Sequence, residues 1–346
     1  MRKEEKMKKV LSIVLCFVLL FSLCACGAND AQGEVGDGKV SVKWDFCVIN
    51  SLTHPSSVLC QQFADEVYEA TDGQVEITVR APGELSYSAN DYLTAVGDGS
   101  IQISDVGSNC YGVLKVGAMS ILPYLADNLD DMDKVMNIVE PYLQDELAEY
   151  GAKYLFYYVW PAQSLWTNKK ELTNLSDIKG LKIRTSNNEL SELVKIWGGT
   201  PVSLTGSEVP AGLQTGVVGG VITSAYGLGG AGWDDSLKYG LITNCQIIPD
   251  YICVNAEEFE ALPEDIQNTI TELAAKYQKL MNESMFSDEE QWRKDLAAEG
   301  MVINTASEED IANTKDNIQA YWDQWAEERG GDCTEVLVQI RKALGL

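Results

Sequence analysis

The chain has 346 residues, of which 45% are hydrophobic and 23% charged, a composition typical of globular proteins with room for two ordinary domains. Its 52 acidic and 26 basic residues give a formal net charge of −26, which disfavours nucleic acid and anionic membrane surfaces as partners. The sequence holds one histidine and no GxSxG, HExxH or GxxxxGK[ST] pattern, which disfavours the hydrolase, zinc-protease and nucleotide-binding classes.

The N-terminus has the pattern of a secretory signal. Five basic residues precede an apolar run over residues 10–23, which is short for a membrane span of about 20 residues. The run ends in Leu-Cys-Ala-Cys, residues 23–26, which resembles the bacterial lipobox. We expect a lipoprotein signal peptide over residues 1–25, a lipid on Cys26 and a flexible Gly-rich tether over residues 26–39. An uncleaved membrane anchor is the alternative.

Six cysteines follow the expected lipidation site, and none has the CxxC spacing of a metal or redox site. They are Cys47, Cys60, Cys110, Cys245, Cys253 and Cys333. Several lie between apolar neighbours, as small core residues do. They could pair in an exported protein or remain free thiols, and their spacing does not assign pairs. We expect no metal and no cofactor.

The first third of the chain has the pattern of an α/β unit. The predicted elements are strands over 40–48, 75–79 and 101–106, from their alternating apolar residues, and helices over 56–70 and 90–96. This order of strand, helix, strand, helix and strand is typical of a parallel sheet covered by helices.

A second α/β unit follows an acidic helix over 130–150 and an apolar strand over 154–160. Its predicted elements are strands over 181–184, 201–204, 217–222 and 247–254, helices over 186–197 and 205–214, a long helix from Pro263 and a late helix capped by Ser307 and Asp310. Ser186 with Glu189, and Thr205 with Glu208, have the capping-box spacing that begins a helix.

Together these elements predict an α/β fold with two lobes, a hinge between them and long helices spanning both. We expect lobe I to comprise 40–161 and 250–289, and lobe II to comprise 162–249 and 290–346. In such folds the ligand binds in the crevice at the carboxyl ends of the strands.

Four segments in a fixed order carry a resemblance to a known family. They are DIKGLKIR at 177–184, GGTPV at 198–202, SEV at 207–209 and LQTGVV at 213–218. Their order and spacing resemble the solute-binding subunits of tripartite ATP-independent periplasmic (TRAP) transporters, of the dicarboxylate- and sialic-acid-binding type. Weaker similarity extends over nearly the whole mature chain. The resemblance implies a periplasmic-binding-protein-like fold, an extracytoplasmic location and integral membrane permease subunits as partners.

The resemblance also implies a ligand-binding arginine. In that family the arginine that closes the LKIR-like strand binds the ligand carboxylate, and here this residue is Arg184. A guanidinium offers two parallel N–H donors to a carboxylate, and the adjacent helix N-terminus, capped by Ser186, would add free N–H groups. The alternative is a surface arginine paired with one of the many acids.

Two departures from the family pattern narrow the expected ligand. Gln163 stands where many members have a second arginine, three residues before Trp166. The stretch Gly-Gly-Val-Ile-Thr at 219–223 replaces a frequent Asp-Gly-x-x-Asn. With one cation fewer and no asparagine there, we expect a monocarboxylate with an apolar or aromatic body.

Loops after the predicted strands supply further candidate ligand contacts. They are Tyr87, Ser108, Asn109, Trp160, Gln163, Thr223 and Tyr226. His54, the only histidine, precedes a proline after the first strand and is either a ligand contact or a helix-entry residue.

The resulting hypothesis is an extracytoplasmic, lipid-anchored receptor that captures a small organic acid by hinge closure for a TRAP-type permease. We expect this receptor to have no catalytic residues. The alternatives are a binding module of another importer or sensory receptor, or an exported hydrolase.

Overall fold

The computed structural model describes residues 41–346, so the predicted signal peptide, the tether and Cys26 lie outside the described residues. The strands of this range are β1 (Val42–Cys47), β2 (Val75–Arg80), β3 (Ile103–Val106), β4 (Ala152–Trp160), β5 (Ser164–Thr167), β6 (Lys182–Thr185), β7 (Thr200–Ser203), β8 (Gly220–Thr223), β9 (Tyr239–Ile242), β10 (Ile248–Asn255) and β11 (Val302–Thr305). The α-helices are α1 (Pro55–Ala70), α2 (Tyr92–Gly97), α3 (Leu129–Ala148), α4 (Asn188–Ile196), α5 (Val209–Thr215), α6 (Ala225–Gly230), α7 (Ala256–Glu260), α8 (Glu264–Ala298), α9 (Glu308–Arg329) and α10 (Cys333–Leu344). None of these helices is long and apolar enough to cross a membrane.

The strands form two mixed sheets, with the orders β2-β1-β3-β10-β4 and β11-β9-β5-β8-β6-β7. The predicted βαβ units are present, because β1 pairs in parallel with β2 and β3, and β6 pairs in parallel with β7 and β8. The prediction of parallel sheets is nevertheless incomplete. β10 runs antiparallel to β3 and β4, and β5 runs antiparallel to β8 and β9.

The two sheets bury separate apolar cores. The first is lined by large side chains of β1, α1 and β4, including Phe46, Phe63 and Phe156, all nearly inaccessible to solvent. The second is built around the fully buried Trp166, with apolar residues of α5, β8 and α6 packed against it. The two predicted α/β lobes therefore correspond to two sheets with their own helices.

The longest helix joins the two cores. α8 packs against α1 and β4 beside the first sheet and against α6 beside the second. Its Glu289 carboxylate accepts the N–H groups of Ala225 (3.1 Å) and Tyr226 (2.8 Å) at the start of α6. This is the helix spanning both lobes that the pattern after Pro263 predicts.

The division of the chain into lobes stays a prediction, and we propose one adjustment to it. The C-terminal helix α10, which we assigned to lobe II with residues 290–346, packs against α3, which in turn lies on β4 of the first sheet. Counting α10 with lobe I agrees better with these contacts.

Local capping chemistry explains several helix starts. Ser307 begins α9 by accepting the N–H of Asp310 at 3.0 Å, as predicted. Thr205 and Glu208 form the predicted capping box, in which the Glu208 carboxylate accepts the Thr205 N–H at 2.7 Å and its hydroxyl at 2.8 Å. This box turns the chain sharply between β7 and α5, next to the cavity described below.

The six cysteines of the described range are all buried and all free. Of the two alternatives, free thiols are therefore the correct one for this structure. Burial raises the pKa of each thiol, for example to about 12 for Cys47 and Cys245, so the thiols stay protonated and behave as small core side chains.

Candidate functional site

A cavity of about 500 Å³ lies where the strand ends of the two sheets meet. The parallel strands β1, β2, β3 and β6, β7, β8 all direct their carboxyl ends towards it, which is where α/β folds bind ligands. The antiparallel strand β10 brings its amino end to the same place. We call the lining from the second sheet the basic wall, after Arg184, and the lining from the first sheet the acidic wall, after Asp250.

Arg184 is the only cation that lines the cavity among residues 41–346. Only 7% of it is exposed, its Nε donates to the Leu204 carbonyl oxygen at 2.8 Å, and its guanidinium carbon lies 5.7 Å from the centre of the Trp233 ring. Within the described range it has no carboxylate within 4 Å, and its two Nη groups have no hydrogen-bond partner. The alternative of an arginine paired on the surface is therefore wrong.

Strand alternation does not explain why this arginine is buried, because it places Arg184 on the same face of β6 as the exposed Lys182; its position between two neighbouring strands at the cavity does. Lys182 is exposed, Ile183 enters the core, and Arg184 lies between Val202 of β7 and Val221 of β8. Burial lowers the pKa of the Arg184 guanidinium to about 10, and the nearby Glu208 carboxylate opposes this shift. The guanidinium therefore remains charged at neutral pH.

The helix that follows begins one residue later than predicted. Asn187, not Ser186, is the N-cap of α4, and its Oδ1 accepts the Leu190 N–H at 2.8 Å. The expected partner of the box, Glu189, is buried and accepts the indole N–H of Trp325 at 2.9 Å. The capping-box prediction at Ser186 is wrong, because a more distant tryptophan engages the glutamate. Ser186 instead lines the cavity.

Gln163 and Thr223 complete the basic wall. Gln163 is buried just before β5, and its amide nitrogen donates to the Pro161 carbonyl at 2.7 Å. Thr223 closes β8, and its carbonyl accepts the indole N–H of Trp166 at 2.8 Å. Both line the cavity, and their contact with a ligand stays a prediction.

Tyr87, Ser108, Asn109 and Trp160 line the acidic wall. The Ser108 N–H donates to Asp250 at 3.1 Å, and the indole N–H of Trp160 donates to the same carboxylate at 2.6 Å. These four sequence-predicted residues therefore also lie at the cavity.

His54 and Tyr226 do not line the cavity. They pack behind it, with their rings 5.6 Å apart and each against Trp160, at 5.6 Å and 6.0 Å respectively. His54 is the N-cap of α1, accepting the Ser56 N–H at 3.2 Å, and burial lowers its pKa to about 4. Of its two alternatives, helix entry is the role that the structure shows. Both were predicted from strand-end position, but tight packing turns these side chains away from the opening.

Asp250 is the residue that sequence reasoning missed. It is 2% exposed, lies in β10 opposite Tyr158 and lines the cavity. A second buried carboxyl, Asp105 of β3, lies beside it, and the Tyr158 hydroxyl donates to Asp105 at 2.6 Å while lying 3.5 Å from Asp250. A lone carboxylate within an apolar strand was the available signal, since such residues are rarely buried without a reason.

Burial raises the pKa of both carboxyls. The pKa of Asp105 rises to about 7, mainly through burial and against the hydrogen bond from Tyr158. Burial and repulsion from Asp105 raise the pKa of Asp250 well above its usual value. Two adjacent buried carboxyls cannot both ionise cheaply, so the pair retains a proton near neutral pH.

No cluster of three or more His, Cys, Asp or Glu side chains able to hold a metal ion occurs in residues 41–346. What the cavity offers is one unpaired guanidinium, one buried carboxylate, two tryptophans and several hydroxyl and amide groups. This set suits the binding of a small polar molecule.

Comparisons with known proteins show which family the chain is similar to. A family model, "Bacterial extracellular solute-binding protein, family 7" (DctP), matches residues 48–329. A solute-binding protein of Chromohalobacter salexigens is 27% identical over 291 residues, covering 82% of this chain and 85% of that protein. The ectoine-binding periplasmic protein TeaA of Halomonas elongata is 26% identical over 297 residues, covering 83% and 85% respectively.

Among solved structures, the pyroglutamic acid-binding receptor DctP7 of Bordetella pertussis superposes with a TM-score of 0.82 at 23% identity, over 87% of this chain and all of that one. A D-glucuronate-bound TRAP receptor of Chromohalobacter salexigens gives 0.79 at 24% identity, over 87% and 99%. The predicted two-lobed α/β fold is thereby confirmed. With the model spanning residues 48–329, the chain belongs to the family-7 bacterial extracellular solute-binding proteins, the TRAP-type receptors that its sequence resembles.

Proposed function

We propose that the protein captures a small organic monocarboxylate in the cavity and that Arg184 binds the carboxylate. One observation carries the proposal: a buried, charged arginine at the cavity whose Nη groups have no partner among residues 41–346. An unpaired buried charge is costly, and a ligand carboxylate accepting two parallel N–H bonds would offset that cost. Each charge-assisted bond contributes about 1.5–3 kcal/mol.

The composition of the basic wall supports a single carboxylate. Gln163 occupies the place of a possible second cation, and its amide nitrogen is already engaged by Pro161. A dicarboxylate would leave one of its charged groups without a counter-charge, because the cavity lining has one cation among residues 41–346, and this is unfavourable. The ligands named for similar proteins, pyroglutamate, ectoine and D-glucuronate, each have one carboxylate and enter here as candidates.

The proposed mechanism is closure of the two lobes around the ligand. Both walls contribute to the cavity, so a ligand held by Arg184 on the second sheet would also contact the first sheet. Such a ligand shifts an open–closed equilibrium by as much as its affinities for the two states differ. The closed form would then be recognised by the integral membrane subunits of a TRAP permease.

The decisive experiment replaces the guanidinium. The candidate acids are first screened by thermal shift, since a ligand that binds the native state raises its stability. Isothermal titration calorimetry with the best acid should then show at least about a tenfold loss of affinity in Arg184→Ala. Lys182→Ala, which removes an exposed cation from the same strand, is the matched control and should bind as the wild type does. Equal affinity in Arg184→Ala would refute the proposal.

The membrane anchor is a separate part of the proposal. It rests on the lipobox-like sequence at residues 23–26, ahead of the described range. Replacing the lipid-accepting thiol in Cys26→Ser should move the protein from the membrane fraction to the soluble fraction of cells that express the full chain. Unchanged membrane retention would count against the anchor and leave the ligand proposal intact.

A further inference from the structure

The cavity contains a second buried charge that the carboxylate proposal leaves unused. Among the lining residues in the described part of the chain, Arg184 and Asp250 are the only two with a formally charged side chain. They belong to opposite walls, Arg184 to the second sheet and Asp250 to the first. If the ligand carboxylate neutralises Arg184, a negative charge on Asp250 still lacks a counter-charge.

We propose that Asp250 forms the second half of the binding site, and that the ligand is a zwitterion whose cationic N–H group donates to this carboxylate. This rests on the proposed function, because it takes the ligand carboxylate to lie on Arg184. It narrows the ligand from any small organic acid to an ammonium, iminium or amidinium carboxylate. Such a ligand pairs each buried charge with an opposite one and leaves the occupied cavity neutral.

The hydrogen bonds of Asp250 leave room for such a donor. A carboxylate has about four acceptor positions. Its Oδ1 accepts one N–H, from Ser108 at 3.1 Å, and its Oδ2 accepts the indole N–H of Trp160 at 2.6 Å, with the Tyr158 hydroxyl more distant at 3.5 Å. Within residues 41–346 no lysine, arginine or histidine nitrogen lies within 4 Å of this carboxylate. A ligand cation would therefore not displace a protein cation.

The same contacts indicate where the proton of the acidic pair resides. Both oxygens of Asp250 already accept N–H groups, which stabilise its charged form. Asp105 accepts the Tyr158 hydroxyl through Oδ2, and its buried Oδ1 has no partner in the described range. Repulsion between the two carboxyls raises the pKa of whichever ionises second. The two N–H groups on Asp250 favour its ionising first, against the direction in which repulsion from Asp105 would shift its pKa, and the shared proton then stays on Asp105, which does not line the cavity. Asp250 is then the anion that a ligand meets.

The neighbouring side chains also suit a cationic nitrogen. The Trp160 indole, whose N–H donates to Asp250, also lines the cavity at the acidic wall. Aromatic rings attract cations, and the attraction increases where water is excluded. A carboxylate held between an indole and a cationic ligand group would therefore discriminate against acids without nitrogen.

Matched pairs of ligands test the inference. The full chain, kept in mild detergent, is titrated with L-proline and its oxygen isostere tetrahydrofuran-2-carboxylate, with ectoine, and with the nitrogen-free acid D-glucuronate. We expect the best zwitterion to bind about tenfold to a hundredfold more tightly than the best nitrogen-free acid. In Asp250→Asn this preference should fall at least tenfold, while affinity for the nitrogen-free acids stays the same or rises.

Asp105→Asn is the matched control, because it removes the buried carboxyl that does not line the cavity and should keep the preference for zwitterions. If Asp250→Asn does not fold, the ratio of affinities in the wild type decides. Nitrogen-free acids binding as well as the zwitterions would overturn this inference alone. If no acid of either kind binds, the proposed function itself fails.

Discussion

The two walls of the cavity each hold a buried charge, but they hold it differently. On the basic wall, Arg184 stands alone: it donates one hydrogen bond to a backbone carbonyl and has no acid within 4 Å in the described chain. On the acidic wall, Asp250 accepts N–H groups from Trp160 and Ser108 and has a second carboxyl, Asp105, beside it. One wall carries an isolated charge and the other a coupled pair.

Burial acts on both walls but has different consequences at neutral pH. It lowers the pKa of Arg184 from 12.5 to about 10, which leaves the guanidinium fully charged. It raises the pKa of Asp105 from 3.8 to about 7, so the acidic pair changes its charge within the physiological range. The comparison teaches that the basic wall is a permanent anchor, whereas the acidic wall is sensitive to pH.

The largest effect should come from removing one carboxyl of the acidic pair and should appear in the pH dependence of stability. Because folding raises the pKa of Asp105, the folded state binds more protons than the unfolded state between about pH 4 and pH 7. The stability that protonation of Asp105 contributes is therefore fully present below about pH 4 and is lost as the pH rises towards 7. One proton corresponds to a slope of about 1.4 kcal/mol per pH unit in the free energy of unfolding. In Asp105→Asn we expect a shallower slope and higher stability at pH 7.

Urea unfolding between pH 4 and pH 8 at constant ionic strength measures this slope. Asp177→Asn is the matched control with the opposite sign, because hydrogen bonds from the Thr173 and Asn174 backbone lower the pKa of Asp177 to about 2. Its contribution is present above pH 4 and is lost only as the pH falls towards 2, so this variant should keep the wild-type slope above pH 4. A wild-type stability independent of pH from 4 to 7 would contradict the difference between the walls.

The sequence predicted Arg184 of the basic wall but not Asp250 of the acidic wall, and the difference has a physical reason. Arg184 ends a recognisable strand that is followed closely by a helix, so local pattern and family resemblance both indicate a site. Asp250 sits within the apolar run at 247–254, and the groups that hold it are distant in sequence, Trp160 being 90 residues away. A buried carboxylate is tolerated only through such tertiary contacts, which no local pattern contains.

The fold, like the site, was predicted only in part from the sequence. Helices with long apolar faces and alternating strands were predicted within a few residues of their observed bounds, for example α1 at both ends and α8 at its start. The strands β5, β9 and β11 were missed because their four residues show no alternation of polar and apolar side chains. Strand direction in the middle of each sheet also escaped prediction, because β10 and β5 are connected to their sheet neighbours by crossings between the lobes and not by local βαβ units.

A smaller effect should come from replacing Glu208, whose charge acts on Arg184. Glu208 holds the turn beside Arg184 through its capping box, and its charge favours the charged guanidinium while opposing an anionic ligand. Glu208→Gln keeps a side-chain acceptor for the box, since glutamine also serves at this position. It removes the opposing charge, so affinity for a monoanionic acid should rise about two- to threefold in low salt.

Salt dependence identifies the cause of that gain. The Glu208 side chain is largely exposed, so at about 0.5 M salt, where screening acts over only a few ångströms, the difference from the wild type should disappear. Glu283→Gln, which removes a carboxylate that is 65% exposed on α8, controls for net charge and should change affinity at neither salt concentration. A gain that persists in high salt would mean that Glu208 acts by shaping the turn. If the affinity changes at neither salt concentration, the charge of Glu208 has no measurable effect on the ligand bound at Arg184.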